Sequence, residues 1–135
     1  MMKKVVKVIS LVLLMVAVST STVAALPSSV TRTYDSCTVT LSLSVLSWSY
    51  SSVSCYKDGS SGVINLESFI TRYSKLEKPT DTKTDYQYGG TGIGLVSKRF
   101  DVPEGYQVIQ ANATASVSNL AFHESVEWKI NAINN

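Results

Sequence analysis

The chain has 135 residues, of which 44% are hydrophobic, and a formal net charge of +2 at pH 7. This length suits one domain better than two. Beyond residue 25 the longest basic cluster is the pair Lys98-Arg99, which is too small for the basic face that nucleic-acid binding requires, so no nucleic-acid partner is expected.

The first 25 residues have the three-part pattern of a secretory signal peptide. A lysine-rich start is followed by the apolar run 8–18 and then by small residues that end at Ala25. The run is shorter than the roughly 20 apolar residues that a membrane-spanning helix needs. Residues 1–25 are therefore predicted to be removed, with cleavage after Ala24 as the alternative. Residues 26–135 then form a single secreted domain without a stable membrane anchor.

Removal of this segment changes the charge of the protein. Three of the 12 Lys and Arg residues lie within it, whereas all 10 Asp and Glu residues follow it, so the remaining chain has a net charge of −1. The remaining chain is rich in Ser and Thr, a composition that is typical of exported β domains.

The two cysteines fall in a pair of predicted strands. Residues 36–45 read SCTVTLSLSV, and this strict alternation predicts a strand with one buried face, while residues 48–57 predict a second strand. In a hairpin centred on Leu46, Cys37 lies opposite Cys55, close enough for a disulfide after a small adjustment. An even cysteine pair in an oxidising compartment indicates a disulfide, which would contribute about 3 kcal/mol. A bridge that joins two sheets is the alternative.

Residues 63–75 are compatible with two structures. Leu66, Phe69, Ile70 and Tyr73 have helical spacing. The neighbouring segments all have strand-like patterns, however, and this context favours a strand. We therefore predict a strand here and keep the helix as the alternative.

The second half of the chain alternates between polar segments and strands. Residues 76–85 predict an exposed loop, and the run GGTGIG at 89–94 predicts a flexible turn. Strands are predicted at 95–102, 106–117 and 122–133. Six or seven short strands in total predict an all-β, antiparallel β-sandwich.

The order of these motifs resembles that of a large set of small exported proteins from Gram-positive bacteria of the Firmicutes type. Such proteins have a signal peptide, a strand with SC-x-V-x-L, a second cysteine on the next strand and a late SK-x-F-x-V segment that continues to G-Y-x-V. Here these features are residues 36–41, Cys55 and residues 97–108. The resemblance covers most of residues 26–135. It implies an immunoglobulin-like sandwich with Tyr106 at a tyrosine corner, and it implies no activity.

No motif in the sequence predicts catalysis, a metal site or a cofactor. His123 is the only histidine, and the sequence that follows it lacks the second histidine of a zinc motif. No Gly-x-Ser-x-Gly nucleophile elbow is present. Residues 81–85 lack the ligand set of a calcium loop, and the glycine run lacks the Gly-Lys-Ser/Thr of a phosphate-binding loop. We therefore predict a non-enzymatic protein.

The candidate binding residues are aromatic. Exposed aromatic side chains can stack on sugars or anchor a partner protein. Trp48 is expected near a hairpin tip, and Tyr86 and Tyr88 lie between the polar loop and the glycine run. The expected function is binding of an extracellular glycan or protein. The alternative is a small toxin or bacteriocin-like effector whose alternating strand at 36–45 inserts into a membrane.

Overall fold

All regular structure in the described part of the chain is β-strand. The computed structural model describes residues 26–35, 37–59 and 62–130, so the predicted signal peptide at 1–25 lies outside the described residues. The strands are β1 (Ser29–Thr33), β2 (Thr38–Leu46), β3 (Tyr50–Lys57), β4 (Ile64–Lys75), β5 (Thr82–Tyr86), β6 (Thr91–Gly92), β7 (Leu95–Asp101), β8 (Tyr106–Val117) and β9 (His123–Lys129). The described residues contain no helix with the length and apolar character to cross a bilayer.

Two antiparallel sheets enclose the core. Sheet A has the order β1-β2-β3-β7, and sheet B has the order β5-β4-β8-β9, with β6 paired to β4. Period-two alternation buries one face of each sheet, as in the row Val30, Leu41, Cys55 and Val96 that crosses sheet A. The all-β sandwich is therefore confirmed. The described residues contain nine strands and not the predicted six or seven, because β1, β5 and β6 form in segments without a strand pattern.

The strand prediction for residues 63–75 is confirmed, and its helix-like spacing has a structural cause. A bulge makes Glu67 an extra residue between the pairs that Leu66 and Ser68 form with β8. The bulge lets Leu66 and Phe69 both point into the core although they are three residues apart. A regular strand would place them on opposite faces.

Large and small side chains alternate across β4 and β8. Phe69 pairs with Ala113, and both are almost fully buried. This pairing of a large with a small residue fills the space between the sheets without strain. The buried hydroxyls of Ser51 and Thr71 form a 2.6 Å hydrogen bond that links the two sheets, which compensates for their removal from water.

The first described residues contact both sheets. The carbonyl of Pro27 accepts a 2.9 Å hydrogen bond from the Glu127 amide in sheet B, and the carbonyl of Ser28 accepts a 2.8 Å bond from the Leu43 amide in sheet A. These bonds hold the start of the described chain across one open side of the sandwich.

The hairpin of β2 and β3 is not centred on Leu46. Leu46 pairs with Tyr50, so the turn consists of residues 47–49, with positive φ angles of 51° at Ser47 and 55° at Trp48. The predicted register between β2 and β3 is therefore wrong by four residues. An even shift keeps the same side chains on the core face, and for this reason the predicted burial pattern still holds.

The predicted disulfide between Cys37 and Cys55 is wrong, because both cysteines are buried free thiols. Cys55 lies opposite Leu41, which is four residues from Cys37, or about 13 Å at the usual rise of a strand. A disulfide needs Cα atoms about 4.4–6.8 Å apart. Burial also raises the pKa of the Cys55 thiol to about 11, and only the thiolate reacts readily.

Both thiols are expected to be unreactive in the folded protein, because burial shields both from reagents and raises the pKa of the Cys55 thiol. Treatment with iodoacetamide at pH 8 should leave the mass unchanged, whereas both cysteines should be labelled in denaturant. A reducing agent should leave the melting temperature unchanged. A lower melting temperature on reduction, together with a mass increase of two hydrogen atoms, would show that the disulfide exists.

Two segments predicted as loop and turn contain strands. Of the predicted loop 76–85, only residues 76–81 are outside a strand, since β5 begins at Thr82. The glycine run 89–94 contains β6 and lies against β4. A Cβ at Gly89 would lie 1.8 Å from the carbonyl oxygen of Leu66, so only glycine allows this close approach. The run is therefore not only a turn, since it contains a short strand and packs against β4.

The remaining predicted strands start within one residue of those in the structure. Residues 95–102 and 106–117 correspond to β7 and β8. The predicted strand 122–133 is β9, which ends at Lys129. Residues 131–133 lie outside the described part of the chain.

Candidate functional site

Tyr86 and Tyr88 form an aromatic pair at the β5 edge of sheet B. Their ring centroids are 6.1 Å apart and their planes differ by 10°, and the residues are 57% and 68% exposed. Tyr86 is the last residue of β5, and a spacing of two residues in extended chain directs both side chains to the same face. The aromatic pair presents apolar ring surface and two hydroxyl groups to solvent.

The outward side of sheet B beside the aromatic pair carries uncharged polar side chains as well as the charged Arg72 and Glu127. Tyr86 lies opposite Ile70 in β4, and Ile70 lies opposite Asn112 in β8. The next outward residue of β8, Thr114, shares a 2.7 Å hydrogen bond with Ser125 of β9. An amide and two hydroxyl groups therefore lie on the same sheet face as the rings, and these groups can both donate and accept hydrogen bonds.

Trp48 lies on a different part of the surface. It is 50% exposed in the turn between β2 and β3, and its carbonyl accepts a 2.7 Å hydrogen bond from the Val108 amide. Val108 belongs to β8 and pairs with Tyr73 from one side of β4. Tyr86 belongs to β5 and pairs with Ile70 from the other side of β4. Trp48 therefore does not form one binding site with Tyr86 and Tyr88.

The outward side of sheet A is lined with hydroxyl groups. The strand register places Ser29, Ser42, Ser54 and Ser97 in one row across all four strands. We call this surface the hydroxyl face, and its residues are Ser29, Thr31, Thr33, Thr38, Thr40, Ser42, Ser44, Ser52, Ser54 and Ser97. The sequence showed these residues as the polar half of alternating strands, and no ligand-binding role was predicted for them. The signal for this face in the sequence was that residues 50–57 repeat the alternation of residues 36–45.

Neighbouring hydroxyls on this face bind each other. Cross-strand hydrogen bonds join Ser42 to Ser54 (3.1 Å), Ser44 to Ser52 (3.0 Å) and Thr31 to Thr40 (3.1 Å). Such pairs stabilise the sheet modestly and hold the hydroxyl groups at defined positions.

Aromatic side chains lie at both ends of the hydroxyl face. Tyr56 and Leu95 are directly opposite each other and are 55% and 57% exposed. At the other end, the Arg99 guanidinium lies 3.6 Å from the centre of the Tyr50 ring and forms a 2.7 Å ion pair with Asp101. The Tyr50 ring face is thus already covered, whereas Tyr56 is free to contact a ligand.

Tyr73 connects the edge strands of the two sheets. Its hydroxyl donates a hydrogen bond to Asp85 of β5, and this bond, together with burial, raises the pKa of Tyr73 to about 12. Its ring lies 5.4 Å from those of Phe100 and Tyr106. Tyr106, the residue assigned to a tyrosine corner, begins β8 and packs edge-on against Tyr73. This cluster closes the side of the sandwich opposite β1 and β9.

The single histidine forms a surface pair. His123 Nε2 lies 3.2 Å from Glu67 Oε1. A hydrogen bond from Ser116 and the contact with His123 lower the pKa of the Glu67 carboxyl below its usual value. In the described ranges, no group of three or more His, Cys, Asp or Glu side chains could hold a metal ion.

A pocket of about 260 Å³ lies at the end of the sandwich where the β4–β5 and β7–β8 turns meet. Its walls carry charges of both signs and include none of the predicted binding residues. The lining residues are Lys75, Leu76, Glu77, Glu104, Gly105 and Tyr106.

No known protein family, curated protein or solved structure matches this chain. Its function is therefore inferred from its own surfaces.

Proposed function

We propose that this chain is a secreted, non-enzymatic β-sandwich protein that binds a glycan outside the cell through the aromatic pair. The observation that carries the proposal is the pair of parallel, exposed rings of Tyr86 and Tyr88. Sugars present apolar C–H faces that stack on such rings and hydroxyl groups that bind nearby polar side chains. Asn112 and Thr114 on the same sheet face supply those polar groups.

The proposed location has its support in the sequence. The basic start, apolar run and small residues of 1–25 are typical of an export signal. Intact mass of protein collected from the medium after expression of the full-length chain tests this. A mass matching residues 26–135 or 25–135 supports export with cleavage, and a mass of all 135 residues contradicts it.

We also infer that the sandwich is immunoglobulin-like. With β1 and β6 set aside, the strand orders are β2-β3-β7 and β5-β4-β8-β9. These correspond to the A-B-E and C′-C-F-G orders of immunoglobulin-like sandwiches. Tyr106 then stands at the start of strand F, which is where such sandwiches carry their corner tyrosine.

The aromatic pair is tested by binding of the exported protein to isolated cell-wall polysaccharide and to intact cells. We expect saturable binding that is at least tenfold weaker in the Tyr86→Ala/Tyr88→Ala variant, a change of about 1.4 kcal/mol in binding free energy. Loss of ring stacking is the physical reason. Because both residues are exposed, the melting temperature should change little.

Trp48→Ala is the matched control, since it removes an aromatic side chain that is also at least half exposed, from a different surface. Its affinity should equal that of the unmodified protein. Binding that is lost in Trp48→Ala but retained in Tyr86→Ala/Tyr88→Ala would place the site at the β2–β3 turn and overturn the proposal. Failure to bind both the polysaccharide and the cells would also overturn it.

A further inference from the structure

The hydroxyl face is an extended surface without charge. Among the described residues, the outward positions of β1, β2 and β3 carry no charged side chain. The two charged outward residues of β7, Arg99 and Asp101, neutralise each other at 2.7 Å. The outward side of sheet B is different, because it carries Arg72, Glu127 and Lys129. A partner of the hydroxyl face must therefore bind without a countercharge.

The hydroxyl groups retain capacity for hydrogen bonds to a partner. Each hydroxyl has one donor and two acceptor sites. The 3.1 Å bond between Ser42 and Ser54 uses one donor and one acceptor of the pair, which leaves one donor and several acceptor sites. Sugar hydroxyls have the same combination of groups. Because these short side chains already hold each other in place, binding restricts little further motion.

One end of the hydroxyl face is apolar. The row that crosses the sheet from Thr31 and Thr40 continues to Tyr56 and Leu95, with neighbouring strands about 4.8 Å apart. A chain molecule that lies across the strands would therefore meet hydroxyl groups first and an exposed ring at its end. A polar surface that ends in an aromatic ring matches the alternation of hydroxyl and C–H groups on a sugar.

Other kinds of partner fit this surface less well. The centres of protein interfaces are enriched in aromatic residues, Met and Arg and depleted in Ser, which is the reverse of this composition. An acidic polymer would require cations, and Arg99, the outward cation of β7, is already paired with Asp101.

We propose that the hydroxyl face is a second binding surface and that its ligand is a neutral polysaccharide chain lying across the strands of sheet A. The row of Ser29, Ser42, Ser54 and Ser97 would bind sugar hydroxyls, and Tyr56 would stack on a sugar ring. This surface is separate from the aromatic pair, so the proposal holds or fails independently of the function proposed above.

Affinity gel electrophoresis of the exported protein tests this second surface. The protein carries Tyr86→Ala/Tyr88→Ala throughout, so the aromatic pair makes no contribution. Gels contain hydroxyethyl cellulose, soluble starch or polygalacturonate, and mobility is compared with that in a gel without polymer. We expect retardation by at least one neutral polymer and none by polygalacturonate. Ser54→Lys should raise the dissociation constant at least tenfold, because the lysine covers the centre of the serine row.

Ser68→Lys is the matched control. Ser68 is a half-buried serine of an inner strand, as Ser54 is, but it lies on the outward side of sheet B. It should retain full binding despite the same change in charge. Ser97→Lys alters an exposed edge position of the same row and should reproduce the loss if Ser54→Lys fails to fold. Absence of retardation by both neutral polymers, or unchanged binding in Ser97→Lys, would overturn the proposal. An equal loss of binding in Ser68→Lys would also overturn it.

Discussion

Truncation of Phe69 to alanine is expected to lower the free energy of unfolding by about 3–5 kcal/mol. The Phe69 side chain is fully buried and lies opposite Ala113, so the cavity it leaves cannot be filled by a large neighbour. A domain of this size has a total stability of about 5–15 kcal/mol, and the loss is therefore a large part of the whole. Urea unfolding followed by tryptophan fluorescence measures it.

Ile70→Ala is the control for this prediction. Ile70 is the next residue along β4 and is only half buried on the outward face, so its truncation should cost about 1 kcal/mol. In a helix, Phe69 and Ile70 would lie close together on one face and both truncations would be costly. Equal losses in the two variants would therefore contradict the strand.

Gly89→Ala is expected to destabilise the protein by about 3 kcal/mol, the upper part of the usual range for added atoms in a packed site. The new Cβ would lie 1.8 Å from the Leu66 carbonyl oxygen and 2.5 Å from its Cβ. Backbone atoms cannot rotate away as a flexible side chain can, so the segment after β5 must separate from β4. The hydrogen bond from the Leu66 amide to the Gly90 carbonyl would then be strained or lost.

The adjacent glycine provides the comparison. A Cβ at Gly90 meets no atom within 4 Å, so Gly90→Ala should change the free energy of unfolding by no more than about 0.5 kcal/mol. Thermal unfolding of the two variants under identical conditions measures the difference. Similar stabilities for both would mean that residues 89–90 are not packed against β4.

Several features of the fold could be predicted from local patterns. The alternation in residues 36–45 and 106–117 is a direct consequence of side chains that point to opposite faces of a strand, and β2 and β8 form there. The lengths and order of these strands were enough to predict an antiparallel sandwich. Tyr86 and Tyr88 could be chosen as candidates because the surrounding segments are polar, and both are exposed.

Other features depended on contacts between distant residues. The spacing of Leu66 and Phe69 resembles that of a helix, and only the pairing with β8 shows that a bulge at Glu67 produces it. The register between β2 and β3 likewise places Cys55 opposite Leu41, too far from Cys37 for a disulfide. Two registers that differ by four residues bury the same side chains, so the burial pattern could not distinguish them.

The sequence by itself determined the class of the fold, the alternating strands and the polar character of their outward faces, because these depend on local periodicity and composition. Only the tertiary structure decided that four serines from four strands form one row, that Trp48 lies apart from the aromatic pair, and that Gly89 is held against Leu66. These features depend on strand register and sheet order, which are set by packing between segments that are far apart in the chain.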